Sequence, residues 1–371
     1  MYFSSSCGYV ACPRPESWLP TPEACGPSSP EAQRLLRVPR ARVLHLDCRG
    51  AGVRLSTPEK LATITNITEF LLLGLPEDQA LQRLCASVFL LTYLAAVAGN
   101  LLIVALTSAD QRLQTPMYFF LKNLSLVDIC FISTTVPKSV ANTLTSGPAI
   151  SFRGCAAQVF LVIAFAGSEF ALLLAMSYDR YAAICRPLHY GVLMSRAACV
   201  RMAAASWLSG CVYGSLHAAG TLSMRFCESN IVHQFFCDVP SLLALACPGE
   251  QRLELAFIVC SCGFGFLCFV LMVVSYAHIF SAVLRIPSTQ GRFKTFSTCL
   301  PHLSVVTLFL TSGIITYLAK NFKSLSLKLV VSVLYTVLPP SLNPVIYSLR
   351  NRDMRAALGK LISGEMSRTY F

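Results

Sequence analysis

Residues 156–179 have the sequence AAQVFLVIAFAGSEFALLLAMSYD, and this stretch decides the fold. Glu169 and the final Asp179 are its only charged residues, and most of the other side chains are apolar. An α-helix of about 20 apolar residues spans the hydrocarbon core of a bilayer. The stretch is therefore predicted to cross a membrane as a helix.

The whole chain has the composition of a membrane protein. Of its 371 residues, 54% are hydrophobic and only 13% are charged, whereas a soluble domain has about 25% charged residues. Seven runs are apolar and long enough to span a bilayer. They cover residues 85–107, 117–141, 156–179, 200–220, 253–284, 295–318 and 328–349. The predicted fold class is an all-α membrane protein, a seven-transmembrane helix bundle followed by a short amphipathic C-terminal helix.

The basic residues indicate orientation rather than a nucleic acid partner. The net charge is +12, but the Lys and Arg residues are scattered between the apolar runs and form no patch interleaved with aromatic residues. The loops on one side and the C-terminal tail hold twelve Lys and Arg residues, and the opposite loops hold seven. The positive-inside rule then places the C-terminus in the cytoplasm and the N-terminus outside. We expect a multi-pass protein of the plasma membrane.

The predicted outer side carries two further features. Asn66-Ile67-Thr68 is a sequon for N-glycosylation just before the first span,. Four cysteines face the same oxidising compartment, namely Cys155, Cys227, Cys237 and Cys247,. Four cysteines allow three pairings, and the spacing alone does not choose among them.

Four motifs occur in order along the chain. The string Met176-Ser177-Tyr178-Asp179-Arg180-Tyr181 ends the third span and continues to Cys185-Arg186-Pro187-Leu188-His189-Tyr190, which is longer than an interfacial charge anchor requires. The others are Pro116-Met117-Tyr118-Phe119-Phe120-Leu121, Lys294-Thr295-Phe296-Ser297-Thr298-Cys299 with His302-Leu303, and Pro340 with Asn343-Pro344-Val345-Ile346-Tyr347-Ser348-Leu349-Arg350-Asn351. Together they resemble the olfactory receptors, a branch of the rhodopsin-like (class A) G-protein-coupled receptors.

The resemblance extends from about Ile64 to Gly364 and implies a function. A protein of this family is an odorant receptor. It binds a small, mainly hydrophobic volatile ligand within the helix bundle and activates a stimulatory heterotrimeric G protein, which raises cAMP. Residues 61–364 would then be the seven-transmembrane receptor domain and residues 365–371 a short cytoplasmic tail.

Residues 1–60 lie outside the resemblance. They contain eight prolines and no apolar run longer than a few residues. Their four cysteines are candidates for a small disulfide module, but the segment has too little apolar content to build a core. We expect a disordered N-terminal extension.

The resemblance also implies roles for residues at the inner end of the bundle and in the outer loops. Asp179 would hold Arg180 at rest and release it to the G protein, and Pro344 would kink the seventh helix. The implied coupling and switch residues are Asp179, Arg180, Tyr181, Tyr276, Asn343, Pro344 and Tyr347. The implied disulfides are Cys155–Cys237 and Cys227–Cys247.

Asp128 and Glu169 are the carboxylates that lie well inside predicted spans. A charged side chain at mid-membrane costs about 2.5–3.5 kcal/mol, so such residues usually have a function. Two interpretations remain: a protonated pair that stabilises packing, and a cation pocket. The resemblance favours a Na⁺ pocket, with Asn100, Ser125 and Asn343 nearby. No other cofactor is expected.

The ligand-binding residues are placed by counting outward from the motifs to positions expected to face the bundle interior. They are Val162, Ile163, Ala166, Gly167, Cys260, Phe264, Ile314, Tyr317, Val333 and Thr336. An apolar pocket with few polar groups suits a hydrophobic ligand. The chain departs from the family pattern at Ser177, Ala182, Pro301 and Leu310-Thr311.

Other functions of a membrane protein fit less well. The chain lacks an HExxH motif, a nucleophile elbow and a phosphate-binding loop, so it is not expected to be an enzyme. A light sensor with a retinal Schiff base needs a lysine in the middle of the seventh span, and Lys328 lies at its outer end. No internal repeat points to a transporter. A receptor of this fold that acts outside the nose remains an alternative.

Overall fold

The structure, a computed structural model, describes residues 67–73, 78–145, 147–227, 229–319, 325–350 and 352–363. Helices dominate these residues. They are α1 (Gln79–Ala109), α2 (Pro116–Thr145), α3 (Phe152–Cys185), α4 (Tyr190–Leu193), α5 (Arg196–Ser223), α6 (Val239–Leu245), α7 (Arg252–Leu284), α8 (Thr289–Ala319), α9 (Leu325–Thr336), α10 (Leu338–Arg350) and α11 (Arg352–Ile362). The chain is an all-α membrane protein, as predicted.

The long helices correspond to the seven predicted spans. By length and hydropathy, α1, α2, α3, α7 and α8 qualify as membrane spans among the described residues, and the bent pair α9–α10 counts as a sixth. The fourth predicted span is α5, which is 28 residues long but rich in Ala, Gly and Ser. These small residues lower its hydropathy, and the packing of α5 explains why they are there.

Helix α3 lies at the centre of the bundle. It packs against α2, α5, α7 and α8, while α1 contacts α2 and α10, and α10 contacts α8. Fully buried side chains such as Leu124, Leu172 and Leu173 fill the space around α3. Its two ends differ, so we call the end at Cys155 the disulfide end and the end at Arg180 the Arg180 end.

Glycines bring α5 into direct backbone contact with α3. A Cβ atom at Gly210 would lie 2.1 Å from the carbonyl oxygen of Ala164, and one at Gly214 would lie 2.5 Å from that of Phe160. Membrane helices commonly approach each other through small residues four positions apart, because lipid gives little hydrophobic drive and close packing must supply the attraction. The low hydropathy of α5 is therefore a consequence of its packing.

A small sheet and two disulfides cover the disulfide end. Strand β1 (Glu69–Leu72) pairs antiparallel with β2 (Ala149–Ser151) and parallel with β3 (Ile231–Val232). The disulfide Cys155–Cys237 joins α3 to the loop between α5 and α7, and Cys227–Cys247 closes that loop on itself. These are the pairs that the resemblance implied. The loop also contains α6, so it is folded rather than extended.

The seventh span contains a break that the sequence did not indicate. Helices α9 and α10 meet at an angle of 47°, with the break at Val337, whereas α10 continues through Pro344. Pro339 and Pro340 follow the break. A proline disfavours the helical conformation in the residue before it and removes a backbone donor, so paired prolines are suited to begin a new helix. The break at Val337 lies seven residues before Pro344, and the kink expected at Pro344 stays a prediction.

Helix α11 follows α10 directly and is the predicted amphipathic C-terminal helix. Met354 and Ala357 are buried in the core, while its first acidic residue, Asp353, accepts a hydrogen bond of 3.2 Å from Tyr118. The predictions for residues 1–60, for Asn66 and for residues 365–371 concern positions outside the described residues.

Candidate functional site

The Arg180 end contains a buried acid with two partners. Asp179 is fully buried, and its Oδ2 accepts hydrogen bonds from the guanidinium of Arg180, one of them from Nε at 3.0 Å. Its Oδ1 accepts a hydrogen bond of 2.7 Å from the hydroxyl of Tyr190. Both oxygens of the Asp179 carboxylate thus accept hydrogen bonds, and Arg180 is held against its own helix.

Tyr190 lies in the short helix α4, between the spans α3 and α5. Its partial burial and the neighbouring charge of Asp179 raise the pKa of the Tyr190 phenol above its usual value,. The phenol therefore stays protonated throughout the physiological range and remains a donor to Asp179. Sequence reasoning named Tyr190 only as part of a motif and did not assign it this contact.

A second polar link near this end joins α7, α8 and α3. The hydroxyl of Tyr276 is 2.7 Å from Nδ1 of His302, and Nε2 of His302 is 2.9 Å from the carbonyl oxygen of Leu173. A carbonyl can only accept, so Nε2 carries the proton, and in the neutral ring Nδ1 accepts from Tyr276. In this structure Tyr276 is therefore engaged by His302 and not by Arg180.

Two further switch residues, Pro344 and Tyr347, lie in α10. The hydroxyl of Tyr347 is buried and has no hydrogen-bond partner among the described residues. Pro344 packs against Gly99 of α1, where a Cβ atom would lie 3.1 Å from the proline ring. Tyr181 contacts the ring of His278 at 5.8 Å between centroids. The structure thus places Tyr276, Tyr347 and Arg180 in separate contacts.

The middle of the bundle holds the two buried carboxylates. Asp128 and Glu169 are fully buried on α2 and α3. The amide nitrogen of Asn343 is 3.2 and 3.0 Å from the two oxygens of Asp128 and 3.4 Å from Oε1 of Glu169. One amide group therefore serves both acids.

This arrangement leaves acceptors without donors. Oε2 of Glu169 and Oδ1 of Asn343 are buried with no hydrogen-bond partner among the described residues. Two adjacent buried carboxylates cannot both carry a charge without a cation or a proton to compensate. Oxygen atoms are the ligands that hard cations prefer, so the residues fit a Na⁺ ion. Asn100, by contrast, directs its amide nitrogen to Pro340 and Ala96.

Three of the predicted ligand-binding residues lie in one apolar cluster. Val162, Ala166 and Val333 pack around Phe235 and Phe236 of the long loop. The two phenylalanines are almost fully buried, with ring centroids 4.9 Å apart. The loop therefore extends its own aromatic side chains between the helices, close to the predicted pocket.

The remaining interior positions have different neighbours. Thr336 is fully buried and donates to the carbonyl oxygen of Ser332 in its own helix. Ile163 packs against the apolar cluster at the disulfide end, and Gly167 faces Gly210 of α5. The side chain of Tyr317 lies outside the described residues.

Cys260, Phe264 and Ile314 do not face the interior. Cys260 is exposed, and Phe264 and Ile314 are 42% and 59% exposed. The buried face of α7 includes Cys268 and Met272. Further along the helix, positions 265 and 261 are half-buried, whereas positions 264 and 260 are exposed. In α8 the buried residue nearest to Ile314 is Ser312, and Ile314 is about 200° further around the helix.

A cavity of about 220 Å³ lies between the long loop and helices α8 and α9. Its lining includes His233, Gln234, Thr316 and Ser332. The hydroxyl of Ser332 donates to Oε1 of Gln234 at 2.6 Å. Ser332 is also the partner of Thr336, so the cavity begins one helical turn from a predicted ligand-binding residue.

Comparison with known proteins gives a single answer. Residues 89–365 match the olfactory receptor family model. The chain belongs to the olfactory receptor family. It is similar to human olfactory receptor 14A16, with 50% identity over 309 residues that cover 83% of this chain and all of the relative. It is also similar to human olfactory receptor 14L1, with 52% identity over 295 residues that cover 79% of the chain and 91% of the relative.

Family membership makes the chain a multi-pass membrane protein and a receptor rather than an enzyme. Some of this olfactory receptor's contacts were missed by sequence reasoning. The side chain of Gln158 in α3 accepts a hydrogen bond of 2.8 Å from the backbone nitrogen of Cys237 and donates one of 2.9 Å to the carbonyl oxygen of Thr134 in α2. It therefore holds the Cys237 side of the disulfide against both helices. The sequence did contain a signal for Gln158, because it is a lone polar residue at the start of an apolar run. Phe235 and Phe236, directly before Cys237, gave a similar signal as apolar residues in a loop.

Proposed function

We propose that this olfactory receptor binds a small, mainly hydrophobic volatile ligand between its helices and activates a stimulatory heterotrimeric G protein, which raises cAMP. The disulfide end faces the outside of the cell, with the N-terminus, and the Arg180 end and the C-terminus face the cytoplasm. The observation that carries the proposal is the buried Asp179–Arg180 pair at the end opposite the disulfides. In this position Arg180 stays paired with Asp179 until a new partner competes for its guanidinium group.

The interior contacts support the chemistry of the ligand. Val162, Ala166 and Val333 provide apolar walls beside Phe235 and Phe236. The hydroxyl of Thr336 already donates its hydrogen bond to the backbone carbonyl oxygen of Ser332. An apolar pocket with few free polar groups selects ligands by shape and size rather than by hydrogen bonds. A compact hydrophobic odorant satisfies that requirement.

The contacts at the other end support the signalling step. Arg180 and Tyr190 share the carboxylate of Asp179, so Arg180 is released only when that cluster opens. Tyr276 and His302 tie α7 and α8 to α3. Movement of α8 away from α3 breaks this link, and the G protein then replaces Asp179 as the partner of Arg180. Such a two-state contact is what a switch requires.

Asp128, Glu169 and the amide oxygen of Asn343 would hold Na⁺. A bound Na⁺ supplies the positive charge that two buried carboxylates need. These three side chains join α2, α3 and α10 at mid-membrane. They hold the centre of the bundle together whether a proton or a Na⁺ ion compensates the charge of the carboxylates.

The test is a cAMP reporter assay in cells that contain the olfactory stimulatory G protein, with an odorant panel. Once an agonist is found, Arg180→Ala is expected to abolish the response at unchanged surface level, because Arg180 is the residue that leaves Asp179 for the G protein. Arg112→Ala is the matched control, since the side chain of Arg112 is 58% exposed and pairs with its neighbour Asp110. An unchanged response of the Arg180 variant contradicts the proposal.

A further inference from the structure

A groove opens on the membrane-facing side of the bundle, between α3, α5 and α7. Near the disulfide end, α5 and α7 are joined by His217, which contacts Glu254 and lies 3.0 Å from Ser261. Next to these, the rings of Tyr213 and Phe264 are 5.4 Å apart. Closer to the Arg180 end, α5 and α7 leave a space over α3. The groove has a volume of about 640 Å³.

We propose that this groove binds a membrane sterol, with its hydroxyl group toward the Arg180 end. The groove runs along α7 from Phe264 to His278, a distance of about 21 Å at 1.5 Å per residue. Its volume lies within the range of about 300–1,000 Å³ that is common for small-molecule sites. Phe264 closes one end, so the groove has a limited length rather than continuing along the whole bundle.

The shape of the walls suits a flat and rigid molecule. Ala171 and Ala175 of α3 and Ala205 of α5 form the floor with side chains of a single carbon. Leu271 and Val274 of α7 form the opposite wall and are each 46% exposed. A flat ring system fills such a slot with few lost rotamers, whereas a flexible acyl chain must be ordered at an entropic cost.

The polar groups suit an alcohol rather than a phosphate. Tyr178, Tyr181 and His278 line the groove toward the Arg180 end, and their phenol and imidazole groups donate to or accept from a hydroxyl. None of the described residues that line the groove is Arg, Lys, Asp or Glu. A phospholipid phosphate prefers cationic partners, so charge complementarity favours a neutral headgroup.

The sequence of α3 agrees with this choice. Leu174, Tyr178 and Arg180 fit the spacing Leu/Val, Tyr and Lys/Arg that has been proposed for cholesterol contact, and two of the three side chains line the groove. The bound sterol packs on Tyr181, whose neighbour in the chain is Arg180. Its occupancy therefore adds contacts beside the switch and stabilises the arrangement seen here.

The experiment uses full-length receptor in phosphatidylcholine nanodiscs that contain a photoreactive sterol, with excess unlabelled sterol as competitor. Ala205→Phe fills the groove from α5, and Ala204→Phe is the matched control because Ala204 is also exposed but lies outside the lining. Val274→Trp fills the groove from α7, and Val273→Trp is its control, with Val273 50% exposed. The α7 pair decides the result if the α5 variant does not fold.

We expect each groove variant to lower the competed label about tenfold and each control to leave it unchanged. Peptide mapping is expected to place the label on residues 171–181 and 271–278. Equal labelling in groove and control variants overturns the proposal, as does label spread evenly over the helices. Preferential labelling of the groove by a photoreactive phosphatidylcholine that sterol does not displace also overturns it. The assay needs neither odorant nor G protein, so it stands apart from the proposed signalling function.

Discussion

The two ends of the bundle are held together by different kinds of bond. At the disulfide end, two disulfides and a three-stranded sheet fix the connections between the helices, and Phe70 packs between Phe152 and Phe226. At the Arg180 end, the contacts described above are hydrogen bonds and one ion pair on Asp179, Tyr190, Tyr276 and His302.

This difference sets what each end is able to do. A disulfide contributes about 2–4 kcal/mol and does not open without chemistry. A hydrogen bond contributes about 1 kcal/mol net and is exchanged in a conformational change. The proposed odorant pocket near the covalent end is expected to keep its shape, whereas the polar end is expected to respond to small shifts of the helices. The predictions below test this division, starting with the largest expected effect.

Loss of the disulfide that joins α3 to the long loop is expected to be the most damaging change. Cys155→Ser removes a closure of 82 residues and Cys227→Ser one of 20 residues, and chain entropy makes the longer closure worth about 1 kcal/mol more. We expect surface expression, measured by flow cytometry on intact cells, to fall strongly for Cys155→Ser and less for Cys227→Ser. Cys260→Ser is the control, since Cys260 is free and exposed. Normal surface delivery of Cys155→Ser would show that the covalent bond is dispensable.

The glycine contact between α3 and α5 is expected to come next. In Gly210→Ala the new Cβ meets the Ala164 carbonyl oxygen at 2.1 Å, so α5 must move away from α3 at a cost of about 1–3 kcal/mol. The same change at Gly263 meets nothing within 4 Å. Thermal unfolding of the two detergent-purified variants measures the difference. Equal stability of the two variants would mean that α5 shifts freely against α3. The rigid part of the disulfide end would then be confined to the loops.

Tyr276→Phe tests the polar link from α7 to α8. It removes the hydroxyl that His302 accepts from, and a loss of about 1 kcal/mol corresponds to a roughly fivefold change in a two-state equilibrium. We expect basal cAMP to rise by about that factor, at unchanged surface level, because α8 loses its hydrogen bond to α7. Tyr213→Phe, in the other half of the bundle, serves as the control. A variant with wild-type basal and agonist-induced cAMP would remove this link from the switch.

Tyr190→Phe is expected to have the smallest effect. The bond from Tyr190 to Asp179 lies in a partly exposed loop, so water compensates for part of its loss,. We expect a rise in basal cAMP of less than about threefold. Because the raised pKa keeps this phenol protonated, the wild-type and the variant are expected to differ by the same factor at pH 6.5 and at pH 8. A ratio that changes with pH would show that the phenol titrates.

The sequence predicts the architecture better than it predicts which side chains meet. Counting apolar runs located the helices of all seven predicted spans, since membrane solvation acts on every residue of a helix, although α5 is not among the helices that qualify by hydropathy. The count could not place the break at Val337, because a kink at Pro344 and a break before Pro339 are both compatible with the same prolines. The phase of α7 was similarly lost: counting outward from the motifs placed Cys260 and Phe264 in the interior, whereas positions 261 and 265 are the half-buried ones. Small errors of phase decide whether a side chain faces the interior or the lipid.

Strand β1 also sets an order of events during biosynthesis. Glu69 accepts a hydrogen bond from Asn230, a residue 161 positions later in the chain. The edge of β1 that pairs with β3 therefore leaves the ribosome long before its partner exists and stays open while α1 to α5 are made, whereas the edge that pairs with β2 waits only for α1 and α2. Contacts of such high sequence separation form slowly, and an unpaired strand edge invites association with other chains. The dependence of this receptor on chaperones is thus expected to be greatest before the last residues of β3 are synthesised, which makes the speed of translation up to that point a determinant of its yield.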